Sequence, residues 1–504
     1  MCHGRYSPTL NLKELNLSHK PASLTKSTIQ GTMWAYISRY SGKALNFVTI
    51  VVLARLLAQE DFGVAGYALV VIGFLQFNGL GIGPALIYHD DDPRRTNTGF
   101  WLALGIGLLL FAGMWLAAPL VGLFFNDARA VPVVRVLAFT FPLSSLAVIP
   151  EAKLYKKLAF NRKFIPDFSR GVSKGVVAIS MAFMGFGAWS LIAGQLVGVL
   201  AAVLAMWLVL PARWRPRFEF DTALARPLLS YGANIAAVFF LGMLLLNVDY
   251  LLVGRYLGAA ALGVYLLAFR IPELLIKQFY DLLSSVLFPV YSKMRNDLPA
   301  LRRGFLTTMG YITMFTVPMG LGLALVAGPL VLTVFGEKWV EAIPVVPAIA
   351  IYTMLRSIYY NSGSIYKAQG RPDLLTKLHL LQLAVLVPAL WAAVYFTGSL
   401  AITAWTQVVV VLLIGSFRLW LAARLVQAPL RDVAATLRPV MLSGVFMALV
   451  VLISQQLTPD FLPLTRLVIG VSTGVLSYSM AVWWLQRDVV LVAGTKLRAA
   501  FSRR

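Results

Sequence analysis

Apolar stretches long enough to span a membrane recur along almost the whole chain, and no other feature constrains its fold as strongly. An α-helix needs about 20 mostly apolar residues to cross the hydrocarbon core of a bilayer. Of the 504 residues, 59% are hydrophobic and only 13% are charged, whereas about 25% is ordinary for a soluble domain. We therefore expect an all-α polytopic membrane protein, because so few charges cannot cover the surface of a soluble chain of this size.

Hydropathy predicts fourteen membrane helices. Several turns between them are tight, as in GFG at 185–187 and TGS at 397–399, which indicates antiparallel neighbours. The predicted helices are 31–57, 62–88, 99–125, 132–152, 165–186, 188–210, 228–254, 261–291, 304–327, 342–366, 376–397, 399–422, 437–457 and 463–486.

The Lys and Arg residues test this count separately, because the cytoplasmic loops of membrane proteins carry an excess of positive charge. With fourteen helices, 32 of the 44 basic residues lie in or beside the loops on one side, together with both termini, and six lie on the other side. We therefore expect both termini in the cytoplasm. The net charge of +23 follows from this topology and does not indicate a nucleic-acid partner.

An internal repeat divides the chain. Residues 52–68 (VLARLLAQEDFGVAGYA) and 252–268 (LVGRYLGAAALGVYLLA) are identical at five positions, and each copy spans the turn between two predicted helices. The offset of six helices is even, so the copies share one orientation, which predicts two six-helix lobes around a central cavity. The matched pairs are Arg55 with Arg255, Leu57 with Leu257, Gly63 with Gly263, Val64 with Val264 and Ala68 with Ala268. The predicted division is a cytoplasmic segment 1–30, an N-lobe 31–210, a cytoplasmic linker 211–227, a C-lobe 228–425, two further helices 437–486 and a basic cytoplasmic tail 487–504.

Several segments resemble a known family. The segment VLARLLAQEDFGVAGYALVVIGFLQFNGLGIGPALI (52–87), followed by NTGFW (97–101), resembles polysaccharide flippases of the Wzx type. These belong to the superfamily that also contains multidrug extruders and lipid II flippases. LLVGRYLGAAALGVYLLAFRIPELL (251–275), VFGEKWVEAIPVVPAIA (334–350) and AQGRPDLL (368–375) resemble the same family.

The resemblance implies a transporter of the bacterial inner membrane that works by alternating access. Its substrate would be an undecaprenyl-diphosphate-linked oligosaccharide, moved from the cytoplasmic to the periplasmic leaflet for exopolysaccharide, capsule or O-antigen assembly. The expected partners are this lipid-linked oligosaccharide, the membrane lipids, and a polysaccharide polymerase with its export machinery.

The candidate binding residues are cations deep within predicted helices: Arg39 and Lys43 on helix 1, Arg270 and Lys277 on helix 8, and Arg356 on helix 10. Each would cost about 2.5–3.5 kcal/mol at the bilayer centre if it faced lipid, so we expect these side chains to face a cavity or meet partners. Cations in a cavity suit a diphosphate. Snorkelling and static salt bridges with Glu273 are the structural alternative, and for Lys174 we favour a side chain that reaches back toward Arg170 at the interface.

Two carboxylates are candidates for ion coupling. Glu273 lies between Arg270 and Lys277 at helical spacing, after Pro272, where we expect a kink. A diphosphate could compete with Glu273 for these cations, and Asp249 on helix 7 is the second candidate. The sequence has no nucleotide-binding motif and no catalytic set, so we expect neither an enzyme nor a cofactor, and the histidines and Cys2 lack metal-ligand spacing.

Two short motifs have mainly structural interpretations. The GLGIG segment (79–83) ends helix 2, where we favour close packing or helix distortion over phosphate contact. The acidic triplet at 90–92 precedes Pro93-Arg94-Arg95, which favours a solvated loop over a cation site. Tyrosines on the expected cavity helices, among them Tyr280, Tyr352 and Tyr359, could stack on sugars or belong to the interfacial aromatic belts.

Three other functions remain open at this point. A multidrug extruder of the same superfamily usually carries cations, which a cavity rich in Arg and Lys would repel. A membrane-embedded polysaccharide polymerase or ligase commonly needs a large periplasmic loop, and the predicted outer loops are short. The third is a phospholipid scramblase without polysaccharide specificity.

Overall fold

The computed structural model describes residues 41–75, 81–88, 92–157, 159–210 and 214–487, and the regular structure in these ranges is entirely helical. We call α1–α8 the N-terminal half and α9–α15 the C-terminal half. The first eight helices are α1 (41–56), α2 (Gln59–Leu75), α3 (Ile82–Tyr88), α4 (Pro93–Phe125), α5 (Ala130–Ala138), α6 (Thr140–Lys156), α7 (Phe160–Phe183) and α8 (Ala188–Leu208).

The C-terminal half and a final pair of helices follow. They are α9 (Thr222–Pro272), a π-helical turn (Glu273–Lys277), α10 (Gln278–Lys293), α11 (Leu298–Leu325), α12 (Ala327–Val334), a 3-10 turn (Glu337–Ala342), α13 (Val346–Ala368), α14 (Pro372–Thr397), α15 (Leu400–Leu425), α16 (Leu430–Gln456) and α17 (Pro463–Leu485). Within α9, the backbone departs from helical geometry at Gly258, with φ 82° and ψ −173°, so two helices meet there.

The predicted membrane class is confirmed. Among the described residues, nine helical stretches are long and apolar enough to cross a bilayer. Large apolar side chains remain exposed on the outer surface, such as Leu116, Leu208 and Trp484 at 77%, 85% and 81% exposure. Such a surface suits lipid, because apolar side chains are unfavourable in water. A helix can lie in lipid, because it satisfies its own backbone hydrogen bonds.

Every predicted span overlaps a helical stretch, but the count of fourteen remains a prediction. Two long helices fall outside the nine because they carry polar residues: α7 holds Arg170 and Lys174, and α13 holds Arg356 and Asn361. A helix that faces a polar interior loses its hydropathy signal.

Predicted helix 2 is divided into α2 and α3. Gly81, at the start of α3, has φ +79°, a conformation that glycine adopts without steric cost. The expected helix distortion at the glycine-rich segment is therefore present at this position, while Gly79 lies outside the described residues.

Short polar side chains cap the N-termini of several helices, at positions where the sequence changes from a loop to an apolar segment. Asp92 accepts a hydrogen bond from the backbone N–H of Arg94 and caps α4, while Asp221 does the same for Ala223 and caps α9. Such caps satisfy backbone donors that the helix leaves unpaired. The last residue of the acidic triplet therefore has a structural role, and the first two, at 90 and 91, lie outside the described residues.

The segment that joins the halves is fastened to the start of α4. Trp101 Nε1 donates to the carbonyl of Arg217 at 2.8 Å, and Asn97 Nδ2 donates to Oε2 of Glu219 at 2.9 Å. The indole of Trp101 also stacks on Phe218, with ring centroids 4.3 Å apart. The NTGFW segment thus holds the connection between the halves.

Candidate functional site: a polar seam and a sealed end

The two halves meet along a polar seam, which we define as Lys43, Asn46, Lys174, Arg270 and Gln278. Lys43 of α1 donates a hydrogen bond through Nζ to Oε1 of Gln278, the first residue of α10. Lys174 of α7 donates through Nζ to Oδ1 of Asn46 at 3.0 Å, and Arg270 acts on Lys174 electrostatically from the other half. The structure therefore brings Lys43 and Arg270 to one interface and adds Lys174 to them.

Lys174, which we expected to reach back toward Arg170, has a further partner on another helix. Its ammonium donates to Asn46 on α1, and both Arg170 and Arg270 act on it electrostatically. A hydrogen-bond acceptor inside the protein offsets part of the cost of the buried charge, and only the packing of α7 beside α1 supplies one.

The charged stretch of predicted helix 8 contains a change of helix type. Helix α9 ends at Pro272, where the sequence predicts a kink, and Glu273–Lys277 forms the π-helical turn. Such turns occur frequently at functional sites. Arg270 and Glu273 both act electrostatically on Tyr250, so opposite charges lie beside the same buried ring. Arg39 lies outside the described residues and remains a predicted member of the site.

Asp249 belongs to a buried hydrogen-bond network that sequence reasoning did not find. Its side chain in α9 is 4% exposed, and Oδ2 accepts a hydrogen bond from Gln407 Nε2 at 2.6 Å. Gln407, on α15, also donates to the hydroxyl of Tyr265 at 2.7 Å. Oδ1 of Asp249 is buried and has no hydrogen-bond partner among the described residues. A buried carboxylate with one oxygen in this setting is a candidate to take up a proton or a cation.

Arg356 lines a separate cavity of about 110 Å³ inside the C-terminal half, where it forms a hydrogen bond with Tyr352. Arg418 also lines this cavity, although it is one of the 32 basic residues assigned above to the side of the membrane that holds both termini. Arg418 is in fact only 8% exposed. No sequence signal distinguishes it from a loop-flanking cation, because its position is only two turns from the end of α15.

The tyrosines expected to stack on sugars are buried in this conformation. Tyr280, Tyr352 and Tyr359 are 4%, 7% and 9% exposed. The Tyr359 ring packs directly against Gly415, where an added Cβ would overlap it, and its hydroxyl lies 3.2 Å from Ser416 Oγ. These rings join helices of the C-terminal half here, and stacking on a sugar would require another conformation.

A large apolar groove lies beside the charged stretch. Its volume is about 600 Å³, and its walls are formed mainly by α11, α16 and α17. Leu275, in the middle of the π-helical turn, also lines it. The groove therefore borders the segment that carries Glu273 and Lys277.

One end of the interface is closed by a matched pair of arginines, and we call it the sealed end. Arg55, at the end of α1, donates to the carbonyls of Thr333 and Val334, which end α12 in the other half. Arg255 donates through NH1 to the carbonyls of Leu123 and Phe124 at 2.9 and 2.6 Å, near the end of α4. Cations bind favourably at helix C-termini, where backbone carbonyls lack partners. The repeat thus places two arginines in equivalent contacts, each reaching across to the other half.

Close backbone packing completes the sealed end. A Cβ atom on Gly63 would overlap the carbonyl oxygen of Ala259, and one on Gly263 would overlap that of Gln59. Trp339 is fully buried beside them and donates to the carbonyl of Ala54 at 2.8 Å. The second matched pair of the repeat, Gly63 and Gly263, therefore allows α2 and α9 to touch.

Apolar outer surfaces, helices packed as two joined halves, and a polar interface sealed at one end define a multi-pass membrane protein of transporter architecture. Residues 52–344 match the family described as polysaccharide biosynthesis protein, and the chain belongs to that family. The match spans both copies of the repeat and the sealed end.

Individual proteins support this assignment. The chain is 29% identical to the teichuronic acid biosynthesis protein TuaB of Bacillus subtilis (strain 168), over 80% of this chain and 84% of TuaB. It is 26% identical to the succinoglycan biosynthesis transport protein ExoT of Rhizobium meliloti (strain 1021), over 66% of this chain and 67% of ExoT. Among solved structures, the lipid II flippase MurJ in an inward closed conformation superimposes with a TM-score of 0.73 at 15% identity, over 91% of this chain and all of MurJ. The predicted fold is confirmed by that likeness.

Proposed function

We propose that this protein flips undecaprenyl-diphosphate-linked oligosaccharides from the cytoplasmic to the periplasmic leaflet of the bacterial inner membrane. The observation that carries the proposal is the gathering of Lys43, Lys174 and Arg270 from both halves at one interface. A diphosphate offers charged acceptor oxygens that these donors can bind, and the partly dry setting strengthens each contact. The transport role named for ExoT supports the same conclusion.

The diphosphate and the polyprenyl chain of the substrate would occupy two separate, adjacent sites. Its diphosphate would bind at the seam and along Arg270 to Lys277, while its polyprenyl chain would lie in the apolar groove that Leu275 lines. The groove is open to a long apolar occupant, and its position fits a chain that leaves the charged stretch toward lipid. A polar sugar would remain in the space between the halves.

Alternating access is supported by the sealed end, which would face the periplasm if both termini are cytoplasmic, as the positive-inside rule predicts. The structure then corresponds to a state closed toward the periplasm. Release of the sugar would require Arg55 and Arg255 to leave the helix ends of the opposite half. An impermeant thiol reagent tests this orientation: with Cys2 replaced, a cysteine at Phe186 should react from the periplasm and one at Arg217 should not.

Ion coupling is part of the proposal, and the geometry favours Asp249 over Glu273. Asp249 is buried with one oxygen that lacks a donor among the described residues, so it can take up a proton or a sodium ion. Glu273 lies beside Arg270 and near the groove, where an arriving diphosphate would compete for the cation. The two carboxylates thus suit different steps, ion uptake and charge exchange.

The decisive experiment is gene replacement in the native organism. Deletion should abolish the surface polysaccharide and cause lipid-linked repeat units to accumulate, and wild-type protein should reverse both effects. Arg270→Ala should fail to complement although it accumulates in the membrane, whereas Arg424→Ala, an exposed cation near the end of α15, should complement fully. Normal polysaccharide in the deletion strain would refute the proposal, and raised sensitivity to cationic drugs instead would indicate a multidrug extruder.

A further inference from the structure

The small cavity in the C-terminal half has the composition of an anion site. It holds about 110 Å³, on the order of a few water molecules. Three helices contribute polar groups to its wall: Tyr352 and Arg356 from α13, His379 and Gln382 from α14, and Arg418 from α15. The opposite wall is apolar and belongs to α9, with Gly242 and Leu245 among its residues.

The donors around Arg418 are oriented by one another. NH1 of Arg418 donates to Oε1 of Gln382 at 3.0 Å, and NH2 lies 3.4 Å from Nε2 of His379. A guanidinium group can only donate, so His379 accepts through Nε2 and carries its own proton on Nδ1. Because the oxygen of Gln382 is already used, its amide nitrogen is the end that can donate to a ligand.

The charge in the cavity is positive. Among the described residues that line it are two guanidinium groups and no carboxylate, and both groups stay protonated at any physiological pH. Asp249 and Glu273 act electrostatically on Tyr352, but neither is among the described lining residues, and Asp249 accepts its own hydrogen bond from Gln407. Positive charge held within a membrane protein is costly unless an anion or another acceptor accompanies it.

The donors of the cavity lie at a similar depth on two neighbouring helices. His379 lies seven residues from the start of α14 at Pro372, and Arg418 lies seven residues from the end of α15 at Leu425. At 1.5 Å per residue, both side chains start about 10 Å inside the helix ends that the topology assigns to the cytoplasm. The two helices thus present their donors at the same depth, on the side that the positive-inside rule predicts to be cytoplasmic.

We propose that this cavity binds a compact oxyanion, a phosphate or carboxylate group, between Arg356 and Arg418. Gln382 supplies a further donor, and the bound oxyanion joins α13, α14 and α15. The inference goes beyond the proposed transport function, because it assigns Arg356 to a site outside the polar seam and requires no flipping. The oxyanion is either a soluble ion or the diphosphate of a polyprenyl lipid, since both present the same oxygens.

The test is thermal unfolding of the purified protein in detergent, with sodium phosphate compared with sodium chloride at equal ionic strength. Phosphate should raise the Tm in a saturable manner for wild type. Arg418→Gln and Arg356→Gln should each weaken phosphate binding by about tenfold or more, because a charge-assisted contact is lost. Arg424→Gln, which removes an exposed cation from the same helix, should respond as wild type does.

A second arm identifies the source of the oxyanion. The same variants are compared in nanodiscs with and without added undecaprenyl diphosphate. A shift with phosphate that depends on Arg418 supports a soluble ion, and a shift seen only with the lipid supports the diphosphate. If Arg418→Gln does not accumulate, Arg356→Gln provides the same comparison. Equal shifts in wild type and the variants, or no shift with either ligand, would overturn the proposal and leave the transport function untouched.

Discussion

The matched arginines of the sealed end provide the sharpest test of alternating access. Arg55 and Arg255 each donate two hydrogen bonds to carbonyls at a helix end of the opposite half. Alanine at both positions removes these contacts and leaves the helix ends to water. Because both side chains are exposed, we assign each arginine about 1 kcal/mol, below the roughly 1.5–3 kcal/mol of hydrogen bonds to charged groups and near the top of the roughly 0.3–1 kcal/mol of exposed cations at helix ends.

The two contacts lie in different places and share no partner, so their effects should add to about 2 kcal/mol. That change would shift the equilibrium between the sealed and the open state roughly 30-fold toward the open state. Spin labels at Phe186 and Val340, which are 51% and 50% exposed on opposite halves at this end, would report it as a distance distribution. We expect the double variant to gain a longer distance that wild type scarcely populates.

Arg135→Ala is the matched control. Arg135 donates to the carbonyl of Trp115 within the N-terminal half, so its loss removes a similar contact without crossing between the halves. The control should keep the wild-type distances. If the Arg55→Ala, Arg255→Ala protein also keeps them while remaining folded, the arginines do not hold the halves together and the reasoning fails.

Three further predictions concern single positions. Gly63→Val should open the sealed end, since its side chain would overlap the Ala259 carbonyl, and unchanged label distances would contradict this. Asp249→Asn should abolish dependence of lipid flipping on an imposed proton or sodium gradient in proteoliposomes, whereas gradient-dependent flipping by the variant would exclude Asp249 as the coupling group. Burial raises the pKa of Asp127, but hydrogen bonds from Arg129 outweigh it and hold the pKa below its usual 3.8. The resulting stability, under about 1 kcal/mol, should be present above pH 4 and disappear as the pH falls through the lowered pKa, and Asp127→Asn should remove this acid dependence of the Tm.

The membrane class, the positions of most helices and the repeat were all readable in the sequence. These features depend on local properties, because the bilayer demands a fixed apolar length and the positive charges mark one side. The match of Arg55 with Arg255 and of Gly63 with Gly263 was visible as well. Its meaning was not, since nothing local reveals that each arginine ends at a helix terminus of the other half.

The deep charges were predictable as a set but not as a site. The free-energy cost of a charge in lipid identified Lys43, Arg270 and Arg356 as candidates, and this cost does not depend on which partner each residue meets. Only the tertiary arrangement placed Lys43 and Arg270 at the seam, because Lys43 on α1 meets Gln278 on α10 and Arg270 on α9 acts on Lys174 of α7. The tertiary structure also gave Lys174 a hydrogen-bond partner, Asn46 on α1, which the sequence did not predict.

Asp249 and Arg418 show the limit most clearly. The carboxylate of Asp249 is paired with Gln407, 158 residues further along the chain, and Arg418 is buried although its distance from the helix end suits a surface cation. The sequence determines which environment each helix can occupy, lipid or protein interior, because hydropathy and helix periodicity are properties of a single helix. Which polar groups meet is decided by contacts between helices far apart in the chain, and those exist only in the tertiary structure.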